Sequence, residues 1–161
     1  MIESELQLGK REMTSEEIRK IFNIDYKRLV MDTLNLVGFF PYGHTLNFFD
    51  TPKRHKGSEA LYFAEEMVGE HMIFVSFLDS NGVTTRHKHQ EPIRENYFQL
   101  AGSSHLRLGD NLHELKAGST LTVPSDTFHQ LTTRENPSLV LIVMENAISV
   151  PRDRLHIPVG I

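Results

Sequence analysis

Gly82-Val83-Thr84-Thr85-Arg86-His87-Lys88-His89-Gln90-Glu91-Pro92-Ile93-Arg94-Glu95-Asn96-Tyr97-Phe98-Gln99-Leu100-Ala101-Gly102 is the stretch that decides how the chain is read. Its β-branched and aromatic residues predict strands over about 83–89 and 95–101. In the first, alternation puts His87 and His89 on one face and Arg86 and Lys88 on the other. Two imidazoles at this spacing can converge on a metal about 2 Å from each nitrogen. A His-x-His pair alone is a weak signal, because such pairs are common on protein surfaces.

Outward from this stretch, further strands are predicted over about 44–50, 59–67, 70–79, 104–108, 119–123, 127–133 and 138–146. Turn residues separate them at Thr51-Pro52, Ser80-Asn81-Gly82, Gly109-Asp110-Asn111, Lys116-Ala117-Gly118 and Glu135-Asn136-Pro137. Many short strands at such intervals predict an all-β sandwich or barrel and exclude a βαβ sheet. Before them, Thr14-Ser15-Glu16-Glu17 reads as a helix start with Thr14 as its cap. Ile18, Ile21 and Phe22, then Tyr26, Leu29, Val30, Thr33 and Leu34, recur at helical spacing. Two short helices, broken near Asn23 and ending before Gly38, are expected. Phe39-Phe40-Pro41-Tyr42-Gly43 reads as a turn-rich hinge, and Pro151 and Pro158 predict an extended tail. The expected organisation is a helical segment over 1–43 packed on the barrel, the barrel over 44–150, and a C-terminal arm over 151–161.

A second stretch completes the pattern: Gly118-Ser119-Thr120-Leu121-Thr122-Val123-Pro124-Ser125-Asp126-Thr127-Phe128-His129. Together the two resemble the signature motifs of the cupin superfamily, specifically the small single-domain barrels of the cupin 2 type. The first motif has a glycine, a His-x-His pair, a glutamate and a glycine seven residues later. The second has a glycine, a proline six residues on, and a histidine five beyond that. The resemblance covers roughly residues 82–133 and implies a double-stranded β-helix, or jelly-roll barrel. It implies one divalent transition metal (Fe, Mn, Ni, Zn, Co or Cu) held by His87, His89, Glu95 and His129. The chain departs from the motifs in four places. The interval from His89 to Glu95 is longer than usual and contains Pro92, which leaves Glu91 as a competing ligand. The run from Gly82 to His87 is one residue short. Asp126 stands where glycine is usual, and Thr133 where asparagine is frequent.

Bulk properties limit the partners. The chain has no cysteine, so any metal site must use imidazole and carboxylate. A formal net charge of −4 argues against nucleic acid and anionic membranes. The first residues lack the basic and apolar runs of a signal peptide, and apolar runs such as Leu139–Met144 are too short to span a bilayer. A soluble, cytoplasmic protein with a small-molecule substrate is expected.

Three imidazoles and one carboxylate leave coordination positions open, which is the arrangement of a catalytic metal site. Tyr97 and Gln99 share the strand face of Glu95, so they are the candidate catalytic residues, Tyr97 as proton donor and Gln99 as amide clamp. The alternative is that both only fill and satisfy the barrel interior. His44, His55, His71, His105, His113 and His156 lack partners at ligand spacing. Lys53-Arg54-His55-Lys56 reads as a solvated loop or an anion site. Three functions fit: a dioxygenase-like metalloenzyme acting on a small oxygenated molecule, a metal-dependent sugar-phosphate isomerase, or a non-catalytic metal and ligand-binding module. No lysine or arginine falls on the inward faces of the motif strands, which favours the first. Phe98 and Leu100 face outward, predicting a covering layer or a partner subunit, and a homodimer is expected on that ground.

Overall fold

The computed structural model describes residues 13–39, 44–55, 58–149 and 157–158. Residues 40–43 of the expected hinge, Lys56, and most of the arm over 151–161 lie outside the described residues.

Helix α1 spans Ser15–Phe22 and α2 spans Tyr26–Val37. The cap of α1 is reciprocal: Glu17 N donates to Thr14 Oγ1 at 3.1 Å, and Thr14 N donates to Glu17 Oε1 at 3.0 Å. Asn23, at φ 55°, ends this helix and Asp25 caps the next. Tyr26, Val30 and Leu34, four residues apart, form the buried stripe of α2.

Ten strands follow among the described residues: β1 Lys53–Arg54, β2 Leu61–Val68, β3 His71–Leu78, β4 His87–Lys88, β5 Arg94–Leu108, β6 Asn111–Lys116, β7 Thr120–Val123, β8 His129–Thr132, β9 Ser138–Glu145 and β10 Ile157–Pro158. All pair antiparallel, in the order β1-β2-β3-β9-β5-β8-β4-β10, with β6 and β7 also on β5. The curled sheet forms a jelly-roll barrel. Its two halves share β5, whose first part pairs with β7 and β9 and whose second part pairs with β6 and β8.

That long strand corrects an expectation of two separate strands over 95–101 and 104–108. A bulge between Gln99 and Ala101 turns Leu100 and Ala101 both outward. Gly102 follows at φ 68°, where a Cβ would lie 1.9 Å from the carbonyl oxygen of Pro137. Residues 44–50 do not form a strand, and β6 was not anticipated. Of the strand expected over 83–89, only His87–Lys88 pairs continuously, with a lone bridge from Val83 to Thr132.

Two cores result. Inside the barrel, Met72, Phe74, Ile93, Tyr97, Leu106, Leu131, Ile142 and Met144 pack together. Outside, Phe63, Val75, Phe77, Phe98, Leu139 and Leu141 pack against Ile18, Tyr26, Val30 and Leu34 of the helices. Strands β3 and β9 are therefore buried on both faces and read as continuous apolar runs. Phe98 and Leu100 belong to this outer core and are each 9% exposed. The covering layer is the chain's own helical segment, so the argument that these residues require a partner subunit does not hold.

Candidate metal centre

His87 lies in β4, with His89 directly after it; His129 opens β8, which pairs with β4 at His87. These imidazoles come from one half of the barrel. Glu95 comes from the other, on the part of β5 that pairs with β7 and β9. The curl brings one ligand atom from each of the four within 4.8 Å of one another. Glu95 Oε1 lies 3.2 Å from His89 Nε2 and 2.9 Å from His129 Nε2. His89, Glu95 and His129 are buried and His87 is half-buried, so the cluster sits inside the barrel wall with one edge toward solvent. Glu91 is exposed on the loop; the longer interval from His89 is absorbed there, and Glu95 is the carboxylate that reaches the histidines.

The local backbone orients two of the rings. His87 Nδ1 lies 2.8 Å from the carbonyl oxygen of Thr85, and His129 Nδ1 lies 3.0 Å from that of Thr127. A carbonyl oxygen only accepts, so each Nδ1 carries the hydrogen. In the neutral ring this leaves Nε2 as a bare lone pair. For His129 that lone pair faces a carboxylate oxygen, an arrangement that requires a cation, proton or metal, between them. The donor set of three imidazoles and one carboxylate, with ring tautomers fixed by backbone carbonyls, fits a divalent transition metal.

Burial alone would raise the pKa of Glu95. Positive charge on His89 and His129 beside it would more than offset this and hold its carboxyl well below the usual range, the same demand for a cation at this spot. Tyr97 Oη donates to Glu95 Oε1 at 3.3 Å. Burial first, then the Glu95 charge, push the Tyr97 phenol well above its ordinary value, so it remains a donor. Gln99 is placed differently. Its Nε2 donates to the Ala101 carbonyl at 2.8 Å and to Ser138 Oγ at 2.9 Å, and its Oε1 accepts from Ser104 Oγ at 2.7 Å. The amide is committed to bracing the β5 bulge.

The motif edges are latched by the residues at which the sequence departs. Gly82 N donates to Thr133 Oγ1 at 2.8 Å, and Thr133 Oγ1 donates to the Asp79 carbonyl. Asp126 takes the left-handed conformation at φ 60° and accepts from Lys88 Nζ at 2.7 Å. Lys88 and Arg86 pack over the Phe128 ring on the outer side of β4, away from the cluster.

Sequence reasoning missed the inner face of β2. A bulge after Tyr62 keeps Tyr62 and Glu65 on the interior side, opposite Ser76 and Phe74 of β3. His55 Nε2 lies 2.6 Å from Glu65 Oε1, and Lys53 Nζ lies 3.9 Å from Glu65 Oε2. The basic run at 53–56 thus turns two of its members toward a carboxylate. The bulge carries no residue signature, and only Tyr62 within an alternating strand pointed to this face.

A family model described as a cupin domain, of the Cupin 2 type, matches residues 74–145. No curated protein sequence matches the chain. Among solved structures, KdgF from Halomonas sp. is 20% identical with a TM-score of 0.50, over 72% of this chain and 96% of that one. A cupin 2 conserved barrel domain protein from Salinispora arenicola is 13% identical with a TM-score of 0.51, over 60% and 82%. A conserved protein with a double-stranded β-helix domain from Klebsiella pneumoniae is 13% identical with a TM-score of 0.52, over 60% and 84%. At these identities the likeness is one of fold.

Proposed function

We propose, from the cupin 2 family model that matches residues 74–145 and the jelly-roll fold that carries the four ligands, that this chain is a cupin of the cupin 2 type and a mononuclear metalloenzyme with dioxygenase-like chemistry on a small oxygenated molecule. The observation that carries the reading is the His129–Glu95 contact, in which a backbone-fixed tautomer aims a ring lone pair at a buried carboxylate. His87, His89, Glu95 and His129 would hold the ion. Iron or manganese in such a set supplies Lewis acidity and one-electron chemistry with dioxygen. Glu95 offsets part of the ion's charge. Tyr97 fixes the carboxylate's rotamer and offers a proton donor beside it. Phe74, Leu131, Ile142 and Met72 give the interior an apolar wall that suits an aromatic or enol substrate and limits water.

The isomerase reading has support from the cations of β1, since Lys53 and Arg54 are exposed at the sheet edge beside β2. A phosphate clamp there would have to draw Lys53 from Glu65. The dioxygenase-like reading therefore stands ahead. Elemental analysis of protein purified without chelators or an affinity-column metal tests it, followed by oxygen-uptake assays on enols and catechols. About one iron or manganese per chain with substrate-dependent uptake supports the reading. Zinc or nickel with sugar-phosphate turnover shifts it to the isomerase. Metal without turnover of any candidate favours a binding module. Failure to take up any ion, even when each is added back, overturns the metal site.

A further inference from the structure

The strand that carries two of the imidazoles is held to the third by very little ladder. β4 has two residues and pairs with β8 at a single register position, His87 opposite His129. That leaves the spacing between the His87–His89 pair and His129 to contacts outside the ladder. On the inner face the rings themselves converge. The contacts that could hold them apart by a fixed amount lie on the outer face.

Lys88 stands between two ligands in sequence and points away from both. Its Nζ lies 2.7 Å from Asp126 Oδ1 and 5.0 Å from the centroid of the Phe128 ring. Asp126 and Phe128 flank Thr127, whose carbonyl oxygen accepts from Nδ1 of His129. One lysine between two ligands thus grips both sides of the residue that orients the third. Asp126 closes the loop through its backbone, donating from its N–H to the His89 carbonyl at 2.6 Å. Arg86, on the other side of His87, stands over the same Phe128 ring at 5.7 Å. Asp126 adopts φ 60°, a conformation that glycine takes without strain. A glycine there would leave Lys88 without its carboxylate, so the residue that costs strain is the one that completes the clasp.

We infer that Lys88 and Asp126 are positioning residues of the metal centre, their ion pair holding the His87–His89 strand at the distance from His129 that an ion needs. Neither side chain reaches the ligand cluster. The effect passes through the backbone of His89 and the carbonyl of Thr127, which act on the ligands directly. This inference rests on the metal reading above. The Asp126 side chain is 64% exposed, so water screens the pair and its effect is that of an exposed ion pair.

The test uses the full chain loaded with cobalt(II), with affinity read by competition with a chromogenic chelator and ligand geometry by the cobalt visible bands. Asp126→Gly removes the carboxylate and keeps the turn. Lys88→Met removes the charge and keeps the stem, and Lys88→Gln replaces it if that variant does not fold. Each should bind cobalt about three- to five-fold more weakly, the scale of such a pair, and shift the visible bands. The double variant should be no weaker than either single one, because both remove the same contact. Lys88→Arg, which keeps a cation over Phe128, should behave as the wild type. Unchanged bands in both single variants, or losses that add in the double variant, overturn the clasp and leave the metal centre standing. Wild-type protein that takes up no cobalt overturns the metal reading and this inference with it.

Discussion

Nε2 of His129 and Oε1 of Glu95 meet at 2.9 Å although their strand segments do not pair with one another. Glu95 sits opposite Val123 of β7 and Met144 of β9, while His129 sits opposite Leu108 near the far end of β5. The contact crosses the barrel interior and joins its two halves. An ion bound there would link both halves at once, and ions that bind only the folded state stabilise it by mass action.

The first expectation is that Glu95 and not Glu91 governs metal content. Glu95→Gln should lower metal affinity at least about ten- to a hundred-fold, the scale known even for groups that only support a ligand. His129→Ala should do the same. Glu91→Ala, on the exposed loop, should leave metal content unchanged by elemental analysis, and loss of metal in that variant alone would refute the ligand set.

Tyr97→Phe keeps the ring in the inner core and removes the donor to Glu95. Metal affinity is expected to fall by about ten-fold, because an unrestrained carboxylate is a poorer ligand. Competition with a chromogenic chelator measures it. Unchanged affinity would show that the 3.3 Å contact does not orient Glu95.

The phenols predict behaviour in alkali. Tyr62 and Tyr97 both have folded-state pKa values raised above the ordinary value of about 10. Their contribution to stability is fully present below that ordinary value and is lost as pH rises toward the folded ones, since the unfolded chain releases its protons first. Ultraviolet titration of tyrosinate should show these residues ionising only as circular dichroism reports unfolding. Early, reversible ionisation of all four tyrosines without unfolding would contradict the burial of both.

The helices are predicted to be part of the core. Leu34→Ala, at a fully buried position in the outer core that also holds Phe63 and Leu141, should cost about 2–5 kcal/mol. Urea unfolding would show a lower midpoint with an unchanged slope. A chain begun at residue 44 should expose Phe98, Leu100 and Leu139 and aggregate, which light scattering would detect.

Much of this was legible in residues whose chemistry is local. Thr14 and Glu17 announced their helix because a reciprocal cap needs only those two side chains. His87 and His89 announced a shared face because strand alternation is strict, and Asp126, standing where glycine is usual, takes the left-handed conformation that a glycine position suits. What was not legible depended on partners distant in sequence. Phe98 and Leu100 could not reveal whether helix, sheet or second subunit covers them, since all three bury the same apolar surface. Gln99 looked inward correctly, but its amide is consumed by Ser104 and Ser138, and nothing in the alternation of β5 shows that. The inner placement of Tyr62 and Glu65 follows from a bulge that reverses strand phase without any residue type to mark it.

The bulge in β5 has a consequence for how this chain can tolerate changes of length. Glu95 and Leu106 both face the barrel interior, yet they are an odd number of residues apart and would face opposite ways on a regular strand. The extra residue at Leu100–Ala101, braced by Gln99 and closed by Gly102, restores the match. Inserting or deleting one residue between 96 and 104 would leave either the carboxylate or the second half of the strand facing the wrong way. The same insertion between Gln90 and Ile93 would only lengthen an exposed loop. Drift in length is therefore free between the histidine pair and the glutamate, where the family motif is already stretched, and forbidden immediately after it.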